Sequence, residues 1–245
     1  KDNISSSDGG AISCILSNSL ISNLVVKDNE AIKGGGIDLK NSEVLIEHST
    51  ISSNTSTNNG GGLSMNNSTI NLYSSQIIAN SSLNDGGGIY ISFSDAYITE
   101  SQIKNNISTN GNGGGISLDE AHSEFINCQV IGNIADGWAS VGGGMFLNST
   151  STSDIKYSLF TTNNAFYGGA IGSTNSYFSL QNATVVNNSA LNSAGGILIE
   201  SFGTSILNSI VWNNYPNQIS NGIDYPSNLS CNYSNIEGGH SGAGI

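Results

Sequence analysis

The chain has 245 residues, enough for one sizeable core or two small ones. Gly (31), Asn (35) and Ser (42) supply 108 of them and charged residues only 10%, which excludes a helical bundle, a coiled coil and a collagen-like fibre. Six lysines, no arginine and a net charge of −12 exclude a nucleic-acid binder and an anchor to anionic lipid.

Disorder is also a poor fit, because charge is low and Ile and Val are frequent. No apolar run approaches the roughly 18 residues of a membrane span, so no insertion by this segment is expected. An acidic, lysine-poor surface suits a secreted protein.

Two patterns repeat along the chain. A glycine run opens each repeat: GGAI at 9, GGGI at 34, GGGL at 60, GGGI at 86 and 113, GGGM at 142, GGAI at 168 and AGGI at 194. The spacings are 25, 26, 26, 27, 29, 26 and 26. Two positions after the apolar residue comes a second inward candidate, from Cys14 and Leu39 through to Ser173 and Ile199, the period of a β-strand.

The second pattern is apolar-x-x-small-x-apolar-x-x-Asn. Its first copy, Ile21-Leu24-Val26-Asn29, has Leu at the small position; Ile46-Ser49-Ile51-Asn54 follows, and the series runs on to Ile206-Ser209-Val211-Asn214. Asn3 lies 26 residues before Asn29, so the chain opens inside a repeat and is expected to be a fragment of a longer surface protein.

A unit of ~26 residues with about three short strands cannot bury its apolar face alone, and stacking solves this. The expected fold is therefore all-β, a right-handed single-stranded parallel β-helix of eight or nine coils. It forms one domain over residues 1–245, with 215–245 as a C-terminal coil or cap. Asn29, Asn54, Asn80, Asn106, Asn133, Asn163, Asn188 and Asn214 are expected to form a structural ladder at one turn. The glycines give positive φ and close coil-to-coil approach.

The Gly-Gly-Ala/Gly-apolar and x-x-x-Asn motifs resemble the passenger repeats of chlamydial polymorphic membrane proteins, with Ile, Val or Phe at the Phe position. The segments NSIVWNN (208–214) and NYSNIEGGHSGAGI (232–245) resemble the end of bacterial choice-of-anchor β-helix surface proteins. Both groups lie in the pectin-lyase-like superfamily. The resemblance spans essentially the whole chain and implies a fold and a cell-surface setting rather than an activity.

Enzymes of this fold carry their site on the outward face of one sheet. On the glycine-rich strand the outward residues are Ser13, Asp38, Ser64, Tyr90, Ser117, Phe146, Gly172 and Leu198, with a single acid and no base. Lys33 and Lys40 flank Asp38, but a hydrolase needs paired carboxylates and a lyase an acidic cluster with a base. No catalytic residue is assigned. His48, His122 and His240 are isolated, and Asp119-Glu120 with His122 reads as a solvated loop. Asn84-Asp85 and Asp136 lack the calcium-binding nonapeptide, so no cofactor or metal is expected, with calcium the one ion left open. Cys14, Cys128 and Cys231 read as buried hydrophobes. Eleven Asn-x-Ser/Thr sequons follow from composition.

Aromatic residues carry the remaining signal. ADGWASV at 135–141 lengthens one coil and AFYGG follows in the next, so Trp138, Phe146, Phe166 and Tyr167, with Tyr90 two coils from Phe146, form a candidate sugar-contacting surface. The leading expectation is a non-enzymatic extracellular or cell-surface module, an adhesin-type stalk or passenger whose partners are polysaccharide or cell-surface glycans. The alternatives are a polysaccharide lyase or hydrolase, and a filament subunit that self-associates end to end, with outward Leu198 and Trp212 near the last coil open to coverage.

Overall fold

Tight corners set the path of the chain. In the computed structural model, which describes residues 1–200, 203–221 and 229–239, corner residues such as Asn23, Asn41, Asn67 and Asn105 sit at φ of 50–55° or just below. Asparagine tolerates this left-handed region because its short amide bonds locally. One such residue turns the chain without a loop, and the side chains that follow Asn41, Asn67 and Asn105 (Ser42, Ser68 and Asn106) are buried.

A representative coil runs Ile37–Lys40, Glu43–Glu47, Thr50–Ser52 and Thr55–Ser56. The next coil repeats this path directly above it, pairing Ile37 with Leu63, Val44 with Ile70, Ile51 with Ile77 and Thr55 with Ser81, all in parallel. The described residues form three nine-stranded parallel sheets and one of seven strands. The winding is right-handed, as parallel crossovers almost always are. Nine strands at ~4.8 Å make a stack about 40 Å long.

The sequence pattern led to about three strands per coil, and the structure has a fourth. Its strands are short, as in Ser81–Ser82 and Ile107–Ser108, and their inward residue is Ala or Ser: Ala31, Ser56, Ser82, Ser108, Ala135, Ala165 and Ala190. Without a large apolar residue, the alternation that announces a strand is missing.

Inward residues of the other three sheets stack like on like into one continuous core. Ile37, Leu63, Ile89, Ile116, Met145, Ile171 and Ile197 form one such column, all fully buried. Each of these contributes about 1.5–3 kcal/mol by leaving water. The three cysteines lie in the same interior, and burial pushes the Cys128 and Cys231 thiols up to about 11, so they stay protonated.

Buried polar side chains sit at the corners and pair along the axis. At one corner each serine hydroxyl accepts the backbone N–H of the coil before it and donates to the carbonyl two residues back. Ser75 takes the Ser49 N–H at 3.1 Å and gives its proton to Tyr73 O at 2.8 Å. Ala183 interrupts this column and offers the Ser158 N–H no side-chain acceptor. Ala183→Ser should restore the contact and add about 1 kcal/mol, seen as a rise of roughly 2–4 °C in the thermal midpoint. An unchanged or lower midpoint would show that the hydroxyl does not fit there.

Candidate functional site

The longest coil carries a turn that projects a single ring. Gly137 packs so closely on Asn110 of the coil below that a Cβ there would lie 2.7 Å from backbone. Ser140, only 3% exposed, donates to Ala135 O at 2.6 Å and accepts the Phe166 N–H at 3.2 Å from the coil above. Its carbonyl takes the Tyr167 N–H at 2.9 Å. The Asp136 N–H donates to Ser108 O of the coil below at 2.8 Å, so the turn is bonded from both sides, and Trp138 stands at its tip, 90% exposed.

Two further rings complete the patch. The Trp138 and Phe166 centroids are 6.3 Å apart, and Phe166 meets Tyr167 edge-on at 4.8 Å. Asn192, one coil further on, donates to the Tyr167 hydroxyl at 2.9 Å and fixes its direction. The result is an aromatic surface bordered by amide and hydroxyl groups, chemistry suited to the apolar face and rim hydroxyls of a sugar.

Phe146 and Tyr90 do not join this patch. They share the outward column of the first sheet, in register through Ser117. The chain entering each glycine run folds back over this column, so Phe146 is only 7% exposed, Leu198 5% and Asp38 6%. Val141 is part of the cover: a Cβ on Gly172, the residue paired above Phe146, would lie 2.1 Å from Val141 Cγ1. The expectation that Phe146 is displayed is therefore corrected. Alternation fixes the side of a sheet a residue occupies, not what lies over it. Tyr90 is half-buried; burial raises its hydroxyl pKa, and hydrogen bonds to Ser92 and Asn59 oppose the rise.

Two carboxyls are perturbed, Asp38 in this column and Asp85 on the ridge that covers it. Burial pushes Asp38 up to about 6, the Asp8 charge adds to this, and the Ser64 hydrogen bond with Lys33 and Lys40 opposes it. Burial also raises Asp85, whose Oδ1 accepts the Asn112 N–H at 2.7 Å. Asn59 and Asn112 receive the Asp85 and Val141 N–H groups in the same way, so Asp85 is one step of a structural ladder along the covering ridge. Asp38 has a consequence for stability. Its folded pKa lies above its ordinary 3.8, so the folded state keeps the proton longer and stability falls as pH rises from about 4 to about 6. Asp38→Asn should flatten that window and raise the urea midpoint above pH 6; equal slopes in both proteins would contradict the assignment.

The asparagine ladder is continuous. From Asn29 through Asn54, Asn80, Asn106, Asn133, Asn163 and Asn188 to Asn214, each Nδ2 donates to the next Oδ1 at 2.8–3.0 Å. Gln218 Oε1 receives the Asn214 Nδ2 at 2.8 Å and closes the series. These residues are buried and saturated with protein partners, which makes them structural.

His48 packs edge-on to Tyr73, and His122 Nδ1 meets Thr152 Oγ1 at 2.7 Å; His240 lies outside the described residues, as does the last part of the 232–245 segment. Among the described residues no three His, Cys, Asp or Glu side chains converge on a metal position, and no helix is long and apolar enough to cross a membrane. Sequence reading missed an open groove at the corner between the first and second sheets, although aligning the repeats column by column would have placed Glu43, Thr69, Asp95 and His122 together.

A family model described as a right handed beta helix region matches residues 1–144. The first three sheets continue past that boundary, and the pairing of the fourth shifts register between Ala165 and Tyr167. Neither a curated protein nor a solved structure matches the chain.

Proposed function

Because the chain belongs to the family of right-handed β-helix regions, we propose that it is a non-enzymatic module of an extracellular or cell-surface protein, an adhesin-type stalk or passenger that contacts carbohydrate. The observation that carries this reading is Trp138, a ring 90% exposed on a turn bonded to both neighbouring coils. Exposing so large an apolar surface on a fixed support suits recognition, because little freedom is lost on binding. The resemblance to surface-protein repeats supports the setting. Affinity would be the sum of several weak contacts along a rigid stack.

A lyase or hydrolase of the same fold is the alternative, and Asp85 argues against it by spending its carboxylate on a backbone N–H. End-to-end stacking finds the Asn214 end of the amide ladder already taken by Gln218. Titration calorimetry against a panel of neutral oligosaccharides tests the reading. Trp138→Ala should weaken a bound sugar about tenfold. Tyr233→Ala, which removes another exposed ring, 72% open and outside the patch, should leave it unchanged. Equal affinities for wild type and Trp138→Ala would contradict the assignment.

A further inference from the structure

The corner groove has a volume of about 820 Å³ and runs parallel to the axis from Leu16 to Thr152. Six coils contribute to it, so five inter-coil steps of ~4.8 Å give a track about 24 Å long. Its floor is the second serine column, including Ser42, Ser68 and Ser94. One wall is the left-handed corner, where Asn67 donates to Asn41 Oδ1 at 2.6 Å and Phe93, the next corner residue, stands 53% exposed. The other wall is the row of strand starts.

Charge in the groove has one sign. Glu43, Asp95 and Glu120 line it, and lysine and arginine do not. All three carboxylates are exposed, and none takes part in the ion pairs found among the described residues. Glu43 and Asp95 both pair in register with Thr69, so they stand two coils apart on one line, about 10 Å. Carboxylates repeated along a track lined with hydroxyls and amides, beside an exposed ring, suit a linear ligand with repeated cationic groups, hydroxyls and apolar ring faces.

We infer that this groove is a binding track for an extended polysaccharide bearing free amino groups, lying parallel to the solenoid axis. Ammonium groups on alternate sugars of an extended chain face the same side, and they meet Glu43 and Asp95; a sugar face stacks on Phe93. A basic peptide has the same charge but less to hold. Peptides on sheets gain affinity from an open backbone edge. Here the N–H groups of Glu43, Thr69 and Asp95 are already given to Ser17, Ser42 and Ser68 of the coils below. The inference rests on the carbohydrate-contacting reading of the module, but its residues are separate from the Trp138 patch, so each is tested independently.

The test is titration calorimetry with a glucosamine hexamer, its fully N-acetylated counterpart and a lysine hexamer. The glucosamine hexamer should bind, and the Glu43→Gln/Asp95→Asn double variant should weaken it about tenfold. Phe93→Ala should weaken it roughly threefold. The N-acetylated hexamer should bind about tenfold less tightly than the free amine, because it brings no charge. Glu30→Gln/Asp136→Asn removes two exposed acids outside the groove, and Trp138→Ala alters the other patch; both should leave this binding within about twofold of wild type. All six positions are exposed, so the variants keep the fold, which circular dichroism verifies. Equal loss in the two double variants would reduce the effect to attraction of any cation by a chain of net charge −12 and overturn the inference. So would absence of glucosamine binding. A lysine hexamer bound as tightly and with the same sensitivity to Glu43→Gln/Asp95→Asn would assign the groove to basic peptides instead.

Discussion

Asn106→Leu should lower the free energy of unfolding by about 3–6 kcal/mol, one of the two largest effects expected of a single substitution here. Asn106 is fully buried. Its Oδ1 accepts from both the backbone N and the Nδ2 of Asn80, each at 3.0 Å, and its own Nδ2 donates to Ile77 O and Asn133 Oδ1 at 2.9 Å. Leucine fills the space and leaves the Asn80 N–H without its acceptor, one Asn80 amide proton unpaired beside the remaining bond to Ile51 O, and the Ile77 carbonyl without the Asn106 donor in a dry interior. Each such orphan costs about 1–3 kcal/mol. Asn67→Ala, at an exposed corner, should cost about 1 kcal/mol or less. Urea titration of both variants measures the contrast. A loss below about 1 kcal/mol for Asn106→Leu would mean that the ladder is incidental to stability.

Gly87→Ala should be the other severe change, costing about 3 kcal/mol or more through a clash that neither neighbour can relieve. A Cβ at Gly87 would lie 2.4 Å from Ile107 C, at the end of its own coil, and from Gly114 O in the next, both backbone atoms. The coils must part for it to fit, and parting them breaks the parallel pairing on each side. The last glycine of the run is less constrained. Ala170 occupies that place in its own coil, and a Cβ on Gly88 would meet Gly115 O at 2.6 Å and the Asn106 side chain, rather than a second backbone segment, at 2.9 Å. Gly88→Ala should therefore cost about 1–2 kcal/mol. The repeats show the same order: the middle position is glycine in all eight runs, from Gly10 to Gly195. If the two variants melt at the same temperature, close coil approach is not what selects the middle glycine.

What could be read from the sequence was whatever recurs with a large or chemically distinctive residue. Ile46, Leu72 and Ile98 mark one sheet and Ile51, Ile77 and Ile103 another, each about 26 residues apart, so coil length and stacking register followed directly. The fourth sheet escaped because Ser56, Ser82 and Ala135 carry no hydrophobic signal. Phe146 was placed on the correct side of its sheet, yet the chain around Val141 covers it, and no local pattern reports a cover contributed by a fold-back. Trp138 and Phe166 could be brought near each other from their position in successive coils. The rigidity of that patch could not be foreseen, because it depends on Ser140, a residue whose type is common throughout the chain. The corner groove is formed by Asn67, Phe93 and Glu120, three different residues at equivalent positions. Only stacking turns them into one wall.

The two proposed contact surfaces share a physical logic. The strand backbone of the described coils is committed to the coils above and below, so the sheets offer recognition through side chains. Trp138 offers an apolar face, and Glu43 and Asp95 offer charge at a spacing set by the coil repeat. Variation at these outward positions leaves the inward columns untouched. This separation allows such a stack to change what it contacts without changing its fold.

The central claim is that the module holds polysaccharide without cutting it. The most direct measurement incubates end-labelled polysaccharides with the protein and follows bound fraction and chain length in the same sample. Retention at full length, reduced in Trp138→Ala, is the predicted result. Progressive shortening of the bound chains would contradict the claim and direct attention to Asp38 in the first-sheet column and Asp85 on the ridge beside it.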